Sequence, residues 1–135
     1  MMRREPEFYV CKHCGNIIGL INNAGVPLVC CGEKMSMLDP NTSDGATEKH
    51  LPVITTTDSA DDGSSKVKVH ISTVDHPMVK EHHIEWVYLF TKEGGQRKEL
   101  EVGGEPEVTF ALTESDDVIA AYAYCNLHGL WKTKA

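Results

Sequence analysis

From Leu51 onward, apolar and polar residues alternate in short runs closed by turn formers. Lys66-Val67-Lys68-Val69-His70-Ile71 repeats with period two. That puts Val67, Val69 and Ile71 on a core face, and Lys66, Lys68 and His70 on a solvent face. Leu51 to Thr57, His83 to Phe90, Lys98 to Val102, Glu107 to Leu112 and Val118 to Tyr124 read as further strands. In the run from His83, the residues Ile84, Trp86, Tyr88 and Phe90 are expected on one face. Asp58 to Ser65, with Asp61-Asp62-Gly63, reads as a loop tip, and Glu93-Gly94-Gly95-Gln96 as a hairpin turn. About seven short strands and no long helical pattern predict an immunoglobulin-like antiparallel β-sandwich. Cys125 has no cysteine partner in this region, which excludes the antibody-type disulfide. No internal repeat or low-complexity tract is visible.

The first forty or so residues follow a different pattern. Ile17-Ile18-Gly19-Leu20-Ile21 and Val26-Pro27-Leu28-Val29 predict two short strands joined at Asn22-Asn23-Ala24-Gly25. So short a stretch buries little core, so a bound metal is expected to supply much of its folding energy. Asp39-Pro40-Asn41-Thr42-Ser43-Asp44-Gly45 is rich in turn formers and poor in apolar residues. It is the expected linker between a domain over 1–38 and a second over 46–135. The fold class is thus all-β: a small metal-clipped domain followed by the sandwich.

The chain has 135 residues, with 41% hydrophobic residues, 24% charged residues and net charge -7. An acidic balance disfavours nucleic acid as a partner. Met1-Met2-Arg3-Arg4-Glu5-Pro6 leads into no apolar h-region, and no run of apolar residues is long enough to span a membrane. A cytoplasmic protein with no membrane contact is expected. In such a reducing compartment the five cysteines read as metal ligands or catalytic thiols.

Cys11-Lys12-His13-Cys14-Gly15 is a C-x-x-C knuckle, and Cys30-Cys31-Gly32 supplies an adjacent pair. Four thiolates in two close pairs suit tetrahedral zinc or iron. The adjacent pair implies an asymmetric site. His13, inside the knuckle, would crowd a filled tetrahedron and is read as facing solvent.

The seven histidines divide by position. His70 shares its face with two lysines and reads as a surface residue. His50 sits at a strand start, His76 in Asp75-His76-Pro77-Met78, His82 directly before a strand, and His128 three residues after Cys125. Strand ends and loops are where binding residues gather. Imidazoles with one thiolate suit iron, zinc or copper, and the residues alone do not choose among them.

Five motifs then narrow the reading: C-K-H-C-G-N, V-C-C-G-E-K-M, E-K-H-L-P-V-I, H-P-M-V-K-E-H-H-I-E-W and Y-C-N-L-H-G-L-W. In this order they resemble the desulfoferrodoxin family, the two-iron superoxide reductases, over almost the whole chain. The resemblance implies a desulforedoxin-like Fe(Cys)4 domain with Cys11, Cys14, Cys30 and Cys31 as ligands. It also implies a second iron held equatorially by His50, His76, His82 and His128 and axially by Cys125. That iron would reduce superoxide to hydrogen peroxide by one electron. In such a site Lys49 attracts superoxide, and Glu48 can occupy the open position of the oxidised iron. The likeness further implies an external electron donor such as rubredoxin and a homodimer. Asn126 and Leu127 are expected to aim backbone N–H groups at the Cys125 sulfur, and Trp86 and Trp131 to serve in packing. Two features depart from the family: His83 stands where an aromatic residue is usual, and the Asp58 to Ser65 loop is longer than usual. Two other readings are an electron-transfer protein working through the four-cysteine clip, and a module in which zinc fills both sites structurally.

Overall fold

The computed structural model of the chain describes residues 5–43, 45, 47–58 and 63–135, with Glu48 and Asp58 described by backbone alone. The tip of the expected 58–65 loop, including Asp61 and Asp62, and Asp44 of the expected linker lie outside the described residues. Two compact units form, dividing between Asp39 and Pro40.

In the first unit, β1 (Glu7–Val10) pairs antiparallel with β2 (Ile17–Leu20), and the turn between them is the C-x-x-C knuckle. β5 (Ser36–Met37) pairs with the other edge of β1. β3 (Val29–Cys30) and β4 (Glu33–Lys34) make a separate small hairpin. The expected hairpin of Ile17–Ile21 with Val26–Val29 is therefore corrected. β2 takes β1 as its partner, and Val26 to Leu28 form no strand. Pro27 has no N–H for a ladder, and Val26 is left exposed. Of this unit's described residues, only Phe8 and Cys11 are buried, so its apolar core is minimal.

The described residues of the second unit form seven strands in two antiparallel sheets. β6 (Pro52–Asp58), β7 (Ser65–Ile71) and β10 (Glu107–Leu112) form a sheet of order β10-β7-β6. β8 (Ile84–Thr91), β9 (Gly94–Glu99), β11 (Val118–Cys125) and β12 (Gly129–Lys134) form the other, of order β12-β11-β8-β9. The core lies between them. Val67, Val69, Ile71, Phe110 and Leu112 of one sheet meet Ile84, Val87, Leu89, Ala121, Ala123 and Cys125 of the other. Full burial of each large aliphatic or aromatic side chain contributes about 1.5–3 kcal/mol. The period-two reading of β7 holds, with Val67, Val69 and Ile71 all fully buried.

Four strand expectations need correction. On β8 the face changes within the strand. Tyr124 pairs with Trp86 but Cys125 pairs with Ile84, so Glu85 is an extra residue in a bulge. Ile84 therefore shares the core with Val87 and Leu89, while Trp86, Tyr88 and Phe90 take the opposite face. The β8–β9 turn is Lys92-Glu93, and the two glycines belong to β9, which ends at Glu99, so the expected Lys98 to Val102 strand is corrected to Gly94–Glu99. Gly95 lies flat opposite Phe90, where a side chain would collide with the Tyr88 hydroxyl. The seventh strand is β12, beyond the last run that alternation marked out. A single helical turn among the described residues, α1 (Thr47–His50), carries His50 at its end. No helix among the described residues is long and apolar enough to cross a membrane.

Alternating strand direction brings one set of chain segments to one end of the sandwich. Pro52 starts β6 opposite Ile71, which ends β7. Ile84 starts β8 opposite Cys125, which ends β11, and Gly129 starts β12 across the same hairpin. Every segment carrying His50, His76, His82, Cys125 and His128 leaves the sheets at that end. Residues 41–43 are laced along β12: Asn41 bonds to Leu130 and Lys132 through backbone and amide, and Ser43 Oγ donates to the His128 carbonyl.

Candidate metal centres

The sulfur cluster of the first unit is built by two tight turns. In the knuckle, Cys11 N–H donates to the Asn16 carbonyl and Gly15 N–H to the Cys11 carbonyl, both at 2.8 Å. Gly15 takes a φ of 83°, which a residue without a Cβ adopts freely. In the β3–β4 hairpin, Cys30 faces Glu33 across the two residues Cys31 and Gly32, with φ of 54° and 77°. Two central residues of positive φ make the turn that matches strand twist. Cys31 sits there as a non-glycine, at a cost of about 1–2 kcal/mol. The turn explains the adjacent pair: one cysteine ends the strand, the next forms the turn, and both sulfurs face the knuckle.

The four sulfurs lie within 4.8 Å of one another, with Cys14 and Cys30 Sγ 3.6 Å apart and all four thiols free. Backbone N–H groups, that of Cys14 foremost, bring the Cys11 thiol down to about 6. Its thiol neighbours, Cys14 foremost, push Cys31 up to about 12. The set therefore resists holding four negative charges alone, and a cation at its centre removes that conflict. His13 faces outward as expected, and its Nε2 lies 2.9 Å from an exposed Glu33 carboxylate on β4.

The second set is a ring of imidazoles over a buried thiol. Neighbouring ring centroids lie 4.8 Å apart for His50–His76, 4.6 Å for His76–His82, 5.0 Å for His82–His128 and 4.8 Å for His50–His128. The His50–His82 diagonal is 6.2 Å. Four near-equal sides and a longer diagonal describe a square. Adjacent ring planes meet at 69° to 81°, so each imidazole stands edge-on to its neighbours. Donor atoms of His50, His76, His82 and Cys125 lie within 4.8 Å of one another. His128 Nδ1 is 3.1 Å from His50 Nε2 and 3.9 Å from Cys125 Sγ.

Nε2 of both His76 and His82 is buried with no hydrogen-bond partner. Orphaned buried nitrogens of this kind call for a ligand. His76 Nδ1 lies 2.7 Å from the Pro77 carbonyl, which only accepts, so Nδ1 carries the proton and Nε2 presents its lone pair. The donor set therefore fits a metal cation.

Local structure places each donor. Cys125 and Gly129 flank a three-residue hairpin loop that ends in His128, with Gly129 at a φ of 77°. That loop length is what sets the C-x-x-H spacing. Trp131 fixes two of the rings: its indole stacks on His50 at 4.9 Å, and its Nε1–H donates to the His128 carbonyl at 3.1 Å. Gly45 passes so close that a Cβ there would lie 2.9 Å from His50 and His128 atoms. Sequence reasoning missed Gly45 and read Trp131 as packing alone; the G-L-W directly after His128 was the available signal. Lys49 is exposed on α1 beside His50. The side chain of Glu48 lies outside the described residues.

Burial pushes the Cys125 thiol upward, while the backbone N–H groups of His128 and Leu127 favour the thiolate. The expected Asn126 N–H contact to sulfur is absent, because that N–H donates to the His83 carbonyl at 3.1 Å. Burial also lowers His82, and it brings His76 from its ordinary 6.5 to about 4. Between those values the unfolded chain binds a proton that the folded one does not. The metal-free protein is therefore expected to keep the contribution of neutral His76 above about pH 6.5 and lose it as pH falls toward 4. Urea unfolding of the second unit from pH 7 to 4 tests this, and a flat profile would show that His76 is not held neutral.

Comparison with known proteins supports the geometry. The desulfoferrodoxin family profile matches residues 42–134, and that of the desulfoferrodoxin N-terminal domain matches residues 3–38. The chain belongs to the desulfoferrodoxin family. A desulfoferrodoxin of Nitratidesulfovibrio vulgaris is 42% identical over 134 residues, spanning 99% of this chain and 100% of that protein. A neelaredoxin of Megalodesulfovibrio gigas is 34% identical, over 73% of this chain and 95% of its own length. The crystal structure of the superoxide reductase from Treponema pallidum is 43% identical. It covers 97% of this chain and 100% of its own, with a TM-score of 0.76. The four-cysteine set, and the set of four histidines and one cysteine, match the family's two iron centres, Fe(Cys)4 and Fe(His)4(Cys).

Proposed function

We infer that the chain is a superoxide reductase, which reduces superoxide by one electron and, with two protons, yields hydrogen peroxide. One observation carries this reading: the ring of four imidazoles converges with one fully buried thiol, Cys125. Five donors leave a six-coordinate metal one open position. An iron held there would supply the one-electron chemistry, as a ferrous/ferric couple. His50, His76, His82, His128 and Cys125 would hold it. Cys11, Cys14, Cys30 and Cys31 hold the other iron. Neutral imidazoles leave the local charge low enough for an anion to approach. The N–H groups of Leu127 and His128 partly offset the burial that raises the Cys125 thiol, and would temper the electron density it donates.

Residues 1–38 form the desulforedoxin-like domain and 46–135 the reductase domain, joined by 39–45. An external donor such as rubredoxin returns the electron. The protein acts in the cytoplasm as a homodimer and removes superoxide as an oxidative-stress defence. Glu48 would supply a carboxylate to the oxidised centre.

The test is superoxide consumption by anaerobically purified, iron-loaded protein with a reductant. Hydrogen peroxide should form without dioxygen, and dioxygen evolution would indicate a dismutase instead. Lys49 provides a second test. The net charge of -7 repels superoxide, so fast encounter needs local positive charge. Lys49 carries it, and its field reaches His82, which it helps to lower. Lys49→Ala is expected to slow the second-order rate about 10-fold and flatten its salt dependence. Iron content should not change. Pulse radiolysis at two ionic strengths decides, and an unchanged rate and salt slope would return Lys49 to the solvated surface.

A further inference from the structure

His82 is followed directly by a second histidine of equal ligating chemistry. On extended backbone, successive side chains point to opposite faces, so a slip of one residue would exchange the two imidazoles. The segment adjoins the bulge at Glu85, where the pairing of β8 with β11 shifts between Tyr124 and Cys125. Pairing is disrupted at a bulge, so register there needs another device.

Asn126 straddles this point. Its backbone N–H donates to the His83 carbonyl at 3.1 Å. Its side-chain Oδ1 accepts the His83 N–H at 2.8 Å, and its Nδ2 donates to the Glu81 carbonyl at 3.0 Å. The Glu81 carbonyl and the His83 N–H belong to the two peptide groups that flank the His82 Cα. Flipping the amide would set oxygen against oxygen and N–H against N–H, so its orientation is determined. The N–H and carbonyl of His82 itself are paired with Val79, both at 3.1 Å. His83 turns its Nδ1 to the Val79 carbonyl at 3.1 Å, outside the square of rings. His82 stands in the square with its Nε2 unpartnered.

We propose that Asn126 is the positioning residue that selects His82 over His83 as an imidazole of the catalytic centre. The same residue sits between Cys125 and His128, so its amide aligns the hairpin loop and the His82 segment in one register. This rests on the reading of His82 as a ligand.

The experiment uses full-length iron-loaded protein and follows the high-spin ferric resonance of the catalytic centre. Absorbance of the cobalt(II)-loaded form is a second readout, and the four-cysteine centre is the internal reference for loading. His82→Ala should abolish the wild-type signal. Asn126→Ala should split it into two populations, one of which disappears in Asn126→Ala/His83→Ala. Asn126→Asp keeps the acceptor for His83 N–H but has no N–H for Glu81, and should show a smaller second population. A single wild-type signal in Asn126→Ala overturns the proposal. So does a second population that persists in the double variant, or a centre lost in Asn126→Ala but unaltered in Asn126→Asp. A wild-type signal in His82→Ala would instead overturn the ligand reading beneath it.

Discussion

His82→Ala should strip iron from the catalytic centre, while His83→Ala and His70→Ala leave it in place. Losing a hydrogen-bond partner of a ligand typically costs about 10- to 100-fold in metal affinity. Losing the ligand itself should exceed that and open one side of the imidazole square. His83 spends its Nδ1 on the Val79 carbonyl and lies outside the square. His70 is half-buried rather than fully solvated. Its Nδ1 meets the Ser72 carbonyl at 2.6 Å and its Nε2 meets Asp75 at 3.1 Å. Because Asp75 is well exposed, that contact adds little to stability. Metal analysis and the ferric resonance of the three variants check this. Iron retained in His82→Ala and lost in His83→Ala would mean that the register is wrong by one residue.

Cys11→Ser should remove the other iron and leave superoxide reduction largely intact. The first unit buries only Phe8 and Cys11 among its described residues, too little to hold its two small sheets without the metal. Structural metal sites in small domains contribute on the order of 10 kcal/mol to folding. The first unit should therefore unfold and expose its amides to rapid exchange. The imidazole set draws on no residue before His50, so its iron should stay. Iron should fall from two atoms to one per chain, with the oxidised Fe(Cys)4 absorbance lost. Loss of the catalytic iron in this variant would contradict the independence of the two centres.

The donor types were legible in the chain because their spacings are local. C-x-x-C with Gly15 and Cys-Cys-Gly each build a turn from a few consecutive residues, and C-x-x-H is the length of one hairpin loop. Period-two alternation likewise marked β7 and β10, where each side chain obeys a single face. Alternation misplaced the faces of β8, because one extra residue at Glu85 inverts them and no local pattern announces a bulge. Gly95 read as part of a turn because its reason for being small is Tyr88 on the neighbouring strand.

What only the tertiary structure decided is which distant groups meet, and at what angle. His50 and His128 are 78 residues apart, yet their ring nitrogens lie 3.1 Å from each other. Strand pairing in two sheets brings those chain ends together, and pairing is a long-range property. Trp131 stacking on His50, Gly45 against the His128 ring and Asn126 around His82 likewise join segments remote in the chain. Local sequence determines which atoms can bind a metal. Their arrangement as a square over one buried sulfur comes from the packing of segments that are remote in the chain.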